Sequence, residues 1–141
     1  MIRDKLLPLL QQKYPNERVL VSPASGPIVV FPAKHSDVGE LEIWDDGDEA
    51  TISIGEITHG HFNPYKPELN QDEIDTEVTE MVLDFLEDMF ADRILLWKAR
   101  KGGSGGWQQL DFTEPLMEQS KDADYYVWSG PYGQVMPNNG R

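Results

Sequence analysis

Residues 70–93, NQDEIDTEVTEMVLDFLEDMFADR, hold the strongest pattern in this sequence. Their apolar residues recur at the spacing of one helix face: Ile74, Val78, Met81, Val82, Phe85, Leu86, Met89 and Phe90. Asn70 followed by Glu73 matches a capping box, and Arg93 suits the negative end of a helix dipole. The stretch therefore predicts one long amphipathic helix, around which the rest of the chain is organised.

The polar face of this predicted helix is acidic. We call five of its residues the acidic stripe: Glu77, Glu80, Asp84, Glu87 and Asp88. No lysine or arginine lies between Lys66 and Arg93, and residues 36–92 contain one lysine against 18 Asp or Glu. Such a field repels nucleic acid and anionic membranes and attracts basic proteins. We therefore expect a basic protein partner, although a stripe that only keeps the surface solvated is the alternative.

Composition limits the classes of protein to consider. With 141 residues, of which 39% are hydrophobic, the chain predicts a single domain over 1–136 and a loose C-terminal tail over 137–141. The absence of cysteine excludes disulfides and thiolate metal sites. No signal-peptide pattern and no long apolar run are found, so we expect a cytoplasmic protein.

The rest of the chain predicts short strands joined by turns. Residues 40–44 and 50–57 alternate apolar and polar side chains around the loop DDGDE, whose Asp46-Gly47 dipeptide favours a hairpin turn. This second strand is expected to continue to Phe62, with a bulge at Gly55. Other strands are predicted at 18–22, 28–31, 94–100, 107–112 and 125–128, and further helices at 2–14 and 114–123. This order predicts an α+β fold, a two-layer sandwich in which a mostly antiparallel sheet packs one face against the acidic helix.

His59 and His61 are the candidate metal ligands. Residues two apart on a strand point to the same side, and Glu56 could complete a site for a metal-assisted hydrolase. A third histidine is missing nearby, so we expect no bound metal and no other cofactor. The acidic loop lacks the ligand spacing of an EF-hand and is interpreted as a hairpin tip. No nucleophile elbow or phosphate-binding loop is present, and no catalytic residue is assigned.

Aromatic residues provide the other candidate contacts. Trp44 and Trp97 are expected in the core. Trp128 and Tyr132 flank a Ser-Gly-Pro turn, so they are expected at the surface and join the acidic stripe as candidate partner-binding residues. The glycine-rich loop 101–106 is interpreted as a hairpin tip that could contact a partner.

These features predict a small acidic binding protein that neutralises or escorts a basic protein, and not an enzyme. In size, charge and order of elements the chain is similar to bacterial immunity proteins, which neutralise nuclease toxins. It is also similar to the acidic chaperones of secreted effectors. Besides the hydrolase, a non-catalytic structural or regulatory domain is the alternative, and a homodimer is left open.

Overall fold

The computed structural model describes residues 1–15, 20–21, 26–110 and 122–135. Within them the elements are α1 (Ile2–Lys13), β1 (Leu20–Val21), β2 (Val29–Phe31), β3 (Leu41–Asp45), β4 (Ala50–Ile54), β5 (Thr58–Phe62), α2 (Gln71–Phe90), β6 (Ile94–Ala99), β7 (Gly105–Gln109), β8 (Ala123–Val127), β9 (Gly130–Pro131) and α3 (Tyr132–Val135). The predicted tail over 137–141 and nearly all of the helix predicted over 114–123 lie outside the described residues.

The long acidic helix forms where the sequence predicts it. Asn70 Oδ1 accepts a hydrogen bond from the Glu73 N–H at 2.9 Å, and Glu73 Oε1 accepts one from the Asn70 N–H at 3.1 Å. The capping box is therefore confirmed, and it satisfies two of the backbone donors that every helix N-terminus leaves without a partner. Past the C-terminal end, Asp92 adopts a left-handed φ of 60° and leads into β6.

Asn70→Ala is expected to lower the free energy of unfolding by about 1 kcal/mol, because the Glu73 N–H loses its acceptor. Equilibrium urea unfolding measures the difference. Glu73→Gln is the matched control, since its amide oxygen can still accept from the Asn70 N–H. If Asn70→Ala is as stable as the wild type, the capping box contributes nothing to the fold.

The strands form two antiparallel sheets. The first has five strands in the order β1-β2-β3-β4-β5, and the second has four in the order β7-β6-β8-β9. The α+β class and the antiparallel pairing are thus confirmed, but the single sheet expected from the sequence is divided. The division falls at α2, because β6 pairs with β7 and β8 and not with the first sheet.

The main core lies between the first sheet and the two long helices. Its sheet side includes the buried residues Val29, Phe31, Leu41, Ile43, Ala50, Ile52 and Ile54, and its α2 side Val78, Val82, Phe85, Leu86 and Met89. Ile2, Leu6 and Leu10 of α1 belong to the same core, and α1 packs beside α2. The predicted packing of α2 on the sheet is confirmed, and α1 completes the helical layer. Among the described residues no helix has the length and apolar character needed to cross a membrane.

A tight turn at Gly55 decides which residues face each other on the first sheet. Gly55 has a φ of +49°, and a Cβ there would lie 2.2 Å from the Val38 carbonyl oxygen, so the turn requires glycine. The expected continuous strand with a bulge is wrong, because the chain reverses here and β5 pairs antiparallel with β4. His59 is thereby placed opposite Ser53 and His61 opposite Thr51.

Candidate functional site

Flanking elements supply cations to part of the acidic stripe. Glu80, Asp84 and Glu87 are exposed, whereas Glu77 and Asp88 are half-buried. Within the described residues, three ion pairs reach the stripe from outside α2: Lys66–Glu77 at 3.3 Å, Lys13–Glu87 at 3.5 Å and Arg93–Asp88 at 2.8 Å. The sequence shows that α2 contains no lysine or arginine. It does not show that α1 and the segments flanking α2 supply the cations that pair with the stripe.

Glu80 and Asp84 form the unpaired centre of the stripe. Both are exposed, and neither side chain makes an ion pair or hydrogen bond within the described part of the chain. They lie four residues apart on a helix, where like charges destabilise by a few tenths of a kcal/mol per pair. The centre of the stripe therefore carries charge that the described residues leave uncompensated.

A second acidic group lies at the N-terminal end of α2. We call Asp46, Asp48 and Glu49, at the turn between β3 and β4, the acidic tip. Gln71 Nε2, in the first turn of α2, donates to the Gly47 carbonyl oxygen at 3.4 Å. The fold thus brings together two acidic segments that are more than 20 residues apart in sequence. No local sequence pattern predicts this contact, because it depends on how the hairpin packs against the helix.

Asp75 is a buried carboxylate on the same helix and is not among the candidate residues named from the sequence. It is 3% exposed, and its Oδ1 accepts a hydrogen bond from Gln71 Nε2 at 2.8 Å. Its Oδ2 lies 2.9 Å from the α-amino nitrogen of Met1. The hydrogen bond with Asp75 is the main reason that the pKa of this α-amino group is raised, and desolvation opposes it.

This ion pair predicts a loss of stability at alkaline pH. Because the folded protein raises the pKa of the Met1 α-amino group, the stabilisation is fully present below the ordinary value of 8.0 and is lost as the pH rises through the raised value. Asp75→Asn should remove this part of the pH dependence in urea unfolding. Burial also raises the pKa of Tyr126, but that contribution is common to both proteins and cancels in the comparison. Equal pH dependence in the two proteins would contradict the assignment.

Trp128 and Tyr132 are buried, so the prediction that they are exposed is wrong. They are only 6% and 7% exposed. The Trp128 ring lies 5.3 Å from that of Phe90 in the main core. Asp92 fixes the following turn, since its carboxylate accepts from the Ser129 N–H at 3.0 Å and the Ser129 hydroxyl at 2.7 Å. The turn that suggested exposure instead folds both rings inward, and neither offers a surface to a partner.

The two tryptophans expected in the core are only half-buried. Trp44 lies on the face of the first sheet turned away from the helices, because Leu41 and Ile43 take the inward positions of β3. Trp97 lies against Gly106 of the neighbouring strand, where a Cβ would be 2.6 Å from the indole nitrogen. The loop 101–106 is exposed over residues 101–104, as expected of a tip, while Gly105 and Gly106 already belong to β7.

The two histidines lie on one face of the strand, but the candidate third ligand, Glu56, does not group with them among the described residues. The ring centroids of His59 and His61 are 5.1 Å apart, which confirms that they point to the same side of the strand. Among the described residues, the group able to hold a metal comprises His61, Asp46 and Glu49, whose ligand atoms all lie within 4.8 Å of one another. The candidate set of His59, His61 and Glu56 is not formed among the described residues, because the hairpin places the acidic tip beside His61.

His59 and Glu56 line a different feature, a cleft of about 610 Å³ between the β4–β5 turn and the loop 101–106. Ser53 and Ser104 also line it. The Glu56 side chain is 96% exposed, with Lys98 Nζ 4.0 Å away. Among its described lining residues the cleft thus presents polar groups but no buried charged side chain to orient a ligand.

No protein-family model, no curated protein and no solved structure gives a significant match to this chain. The class that the described residues define is an α+β protein with two antiparallel sheets and an acidic helix at its surface.

Proposed function

We propose that this protein binds a basic protein partner through the surface of α2 and thereby neutralises or escorts it. The observation that carries the proposal is the exposed pair Glu80 and Asp84, which has no cation within the described residues. A surface that needed only solvation could mix lysines into the stripe and gain stabilising pairs. The chain leaves this centre negative, which is what a cationic partner requires.

A basic partner could displace the two lysines that form ion pairs with Glu77 and Glu87. Lys66–Glu77 and Lys13–Glu87 are separated by 3.3 and 3.5 Å, and the lysine side chains are 52% and 43% exposed. Solvated ion pairs of this kind are weak, so a basic partner can replace these lysines at little cost. The stripe can therefore offer Glu77 and Glu87 in addition to its unpaired centre.

Rigid placement makes the charge useful for recognition. The stripe lies on a 20-residue helix that is capped at its N-terminus and buries seven residues. The backbone that carries these carboxylates is already ordered, so binding need not pay to fold it, and a concentrated field speeds encounter with a partner of opposite charge. The acidic tip is a separate negative group, held at the N-terminal end of α2 by Gln71.

Whether the partner is folded or unfolded in the complex distinguishes neutralisation from escort. Neutralisation requires a folded, active partner whose basic surface is covered, as in immunity proteins. Escort requires a partner held unfolded or partly folded, as in secretion chaperones. A cytoplasmic location is part of the proposal, and a chain without cysteine is compatible with it.

Affinity capture tests the proposal. The immobilised protein is exposed to lysate of its source cells at low salt, and bound proteins are eluted with rising salt and identified. We expect a basic protein that elutes with salt and, when purified, forms a defined complex in size-exclusion chromatography. If the recovered partner is acidic, or is released only by denaturant, binding does not depend on the stripe's charge.

The other functions named from the sequence stay predictions. The hydrolase would need His59 and His61 to share a third ligand, and the described residues do not form that set. Neither the non-catalytic structural or regulatory role nor the homodimer gains a specific observation.

A further inference from the structure

The acidic tip meets β5 at an exposed cluster of three metal-binding side chains. We propose that His61, Asp46 and Glu49 bind one divalent transition-metal ion of the Zn²⁺ class. One imidazole nitrogen and two carboxylates are common ligands for such ions. From the sequence we predict no bound metal, because no third histidine lies near His59 and His61. The acidic loop is interpreted there only as a hairpin tip.

The distances require little rearrangement. His61 Nδ1 lies 2.8 Å from Glu49 Oε2, and the third ligand atom, on Asp46, completes a group within 4.8 Å. Bonds of about 2.0–2.2 Å to Zn²⁺ place tetrahedral ligands about 3.4 Å apart. Small rotations of the exposed Asp46 and half-buried Glu49 side chains are therefore enough to enclose an ion.

The backbone holds the three ligands in fixed relation. The Asp46 N–H donates to the Glu49 carbonyl oxygen at 2.9 Å, which closes the hairpin tip. Thr51 lies opposite His61 in the β4–β5 ladder, and its hydroxyl contacts both Asp46 Oδ2 and His61 Nδ1. Ligands from the loop and from β5 therefore converge without any movement of the main chain.

The ligand chemistry selects the class of ion. Mg²⁺ and Ca²⁺ prefer oxygen ligands throughout, whereas imidazole favours Zn²⁺ and its transition-metal neighbours. The surrounding negative charge attracts any cation, but only the nitrogen ligand distinguishes among them. The bound ion would join the β3–β4 loop to β5 and neutralise part of the acidic tip. This inference does not rest on the proposed protein partner.

Titration calorimetry with ZnCl₂ tests the site on full-length, tag-free, chelator-treated protein. We expect one ion per chain, and we expect His61→Gln and Glu49→Gln each to weaken binding by at least about tenfold. Thermal unfolding gives a second readout, because an ion that binds only the folded state raises the melting temperature. Zinc should raise it for the wild type and not for His61→Gln, while the two proteins melt similarly without zinc.

Two other histidines supply controls. His35→Gln should bind zinc like the wild type, since among the described residues His35 belongs to no three-ligand group and its Nδ1 pairs with one carboxylate, Asp37, at 3.9 Å. His59→Gln should also retain binding, because His59 is not part of the three-ligand group. The proposal is overturned if the wild type shows no saturable binding, or if His61→Gln binds normally. It is equally overturned if His59→Gln loses as much affinity for zinc as His61→Gln, because the site would then be the histidine pair. Competition with zinc by Mg²⁺ at equal concentration would also overturn it.

Discussion

Phe85→Ala is expected to lower the free energy of unfolding by about 3–5 kcal/mol, the largest stability effect we predict. Phe85 is 6% exposed, and its ring lies 5.0 Å from that of Phe62 and 5.0 Å from that of Trp107. These three rings come from α2, the first sheet and the second sheet. Truncating the central ring leaves a cavity where the three elements meet.

Equilibrium urea unfolding measures this effect against two controls. Phe85→Leu keeps an apolar side chain in the space and should lose distinctly less stability than alanine. Glu80→Ala lies on the exposed face of the same helix and should stay within about 0.5 kcal/mol of the wild type. A loss below about 1 kcal/mol for Phe85→Ala would show that the apolar face of α2 is not packed as described.

Reversing the unpaired charges of the acidic stripe is expected to cause the second large effect, a loss of affinity for the basic partner. The double variant Glu80→Lys/Asp84→Lys is expected to weaken binding of the captured basic partner by about 100-fold or more, because like charges across an interface cost several kcal/mol. The fold should be as stable as the wild type, since both side chains are exposed and the change replaces one like-charge pair at i,i+4 with another.

A matched variant separates a local effect from a change in net charge. Glu40→Lys/Glu56→Lys makes the same change in charge at exposed positions at the opposite end of the β3–β4 hairpin from its tip. It should weaken binding far less than reversal at α2. Equal losses in the two double variants would mean that only total charge matters and that α2 is not the contact surface.

The best predicted parts of the fold are those whose causes are local in sequence. The apolar spacing of 70–93 and the pair Asn70 and Glu73 identify α2 and its first residue, and the structure confirms both. The alternation of apolar and polar residues in β3 also indicates which face of the sheet Trp44 occupies. With Leu41 and Ile43 inward, position 44 must face outward, and hydrophobicity alone misplaced it.

Errors arose where the outcome depends on residues distant in sequence. The cations that reach Glu77 and Glu87 come from Lys66 and from Lys13 of α1, and the strand order that joins His61 to the acidic tip depends on a reversal at Gly55. A glycine within an alternating stretch is compatible with either a bulge or a turn. In the structure the Val38 backbone packs directly against Gly55, a contact between residues 17 apart that the local pattern does not show.

The most direct test of the central claim is the rate of association between the protein and its purified basic partner, measured as salt rises from about 0.01 to 1 M. The Debye length falls from about 30 to 3 Å over this range. The wild-type rate should fall steeply with salt, while Glu80→Lys/Asp84→Lys should associate slowly at low salt and respond little or in the opposite sense. If wild type and variant associate at the same rate with the same salt dependence, the acidic stripe is a solvated surface and not a binding site.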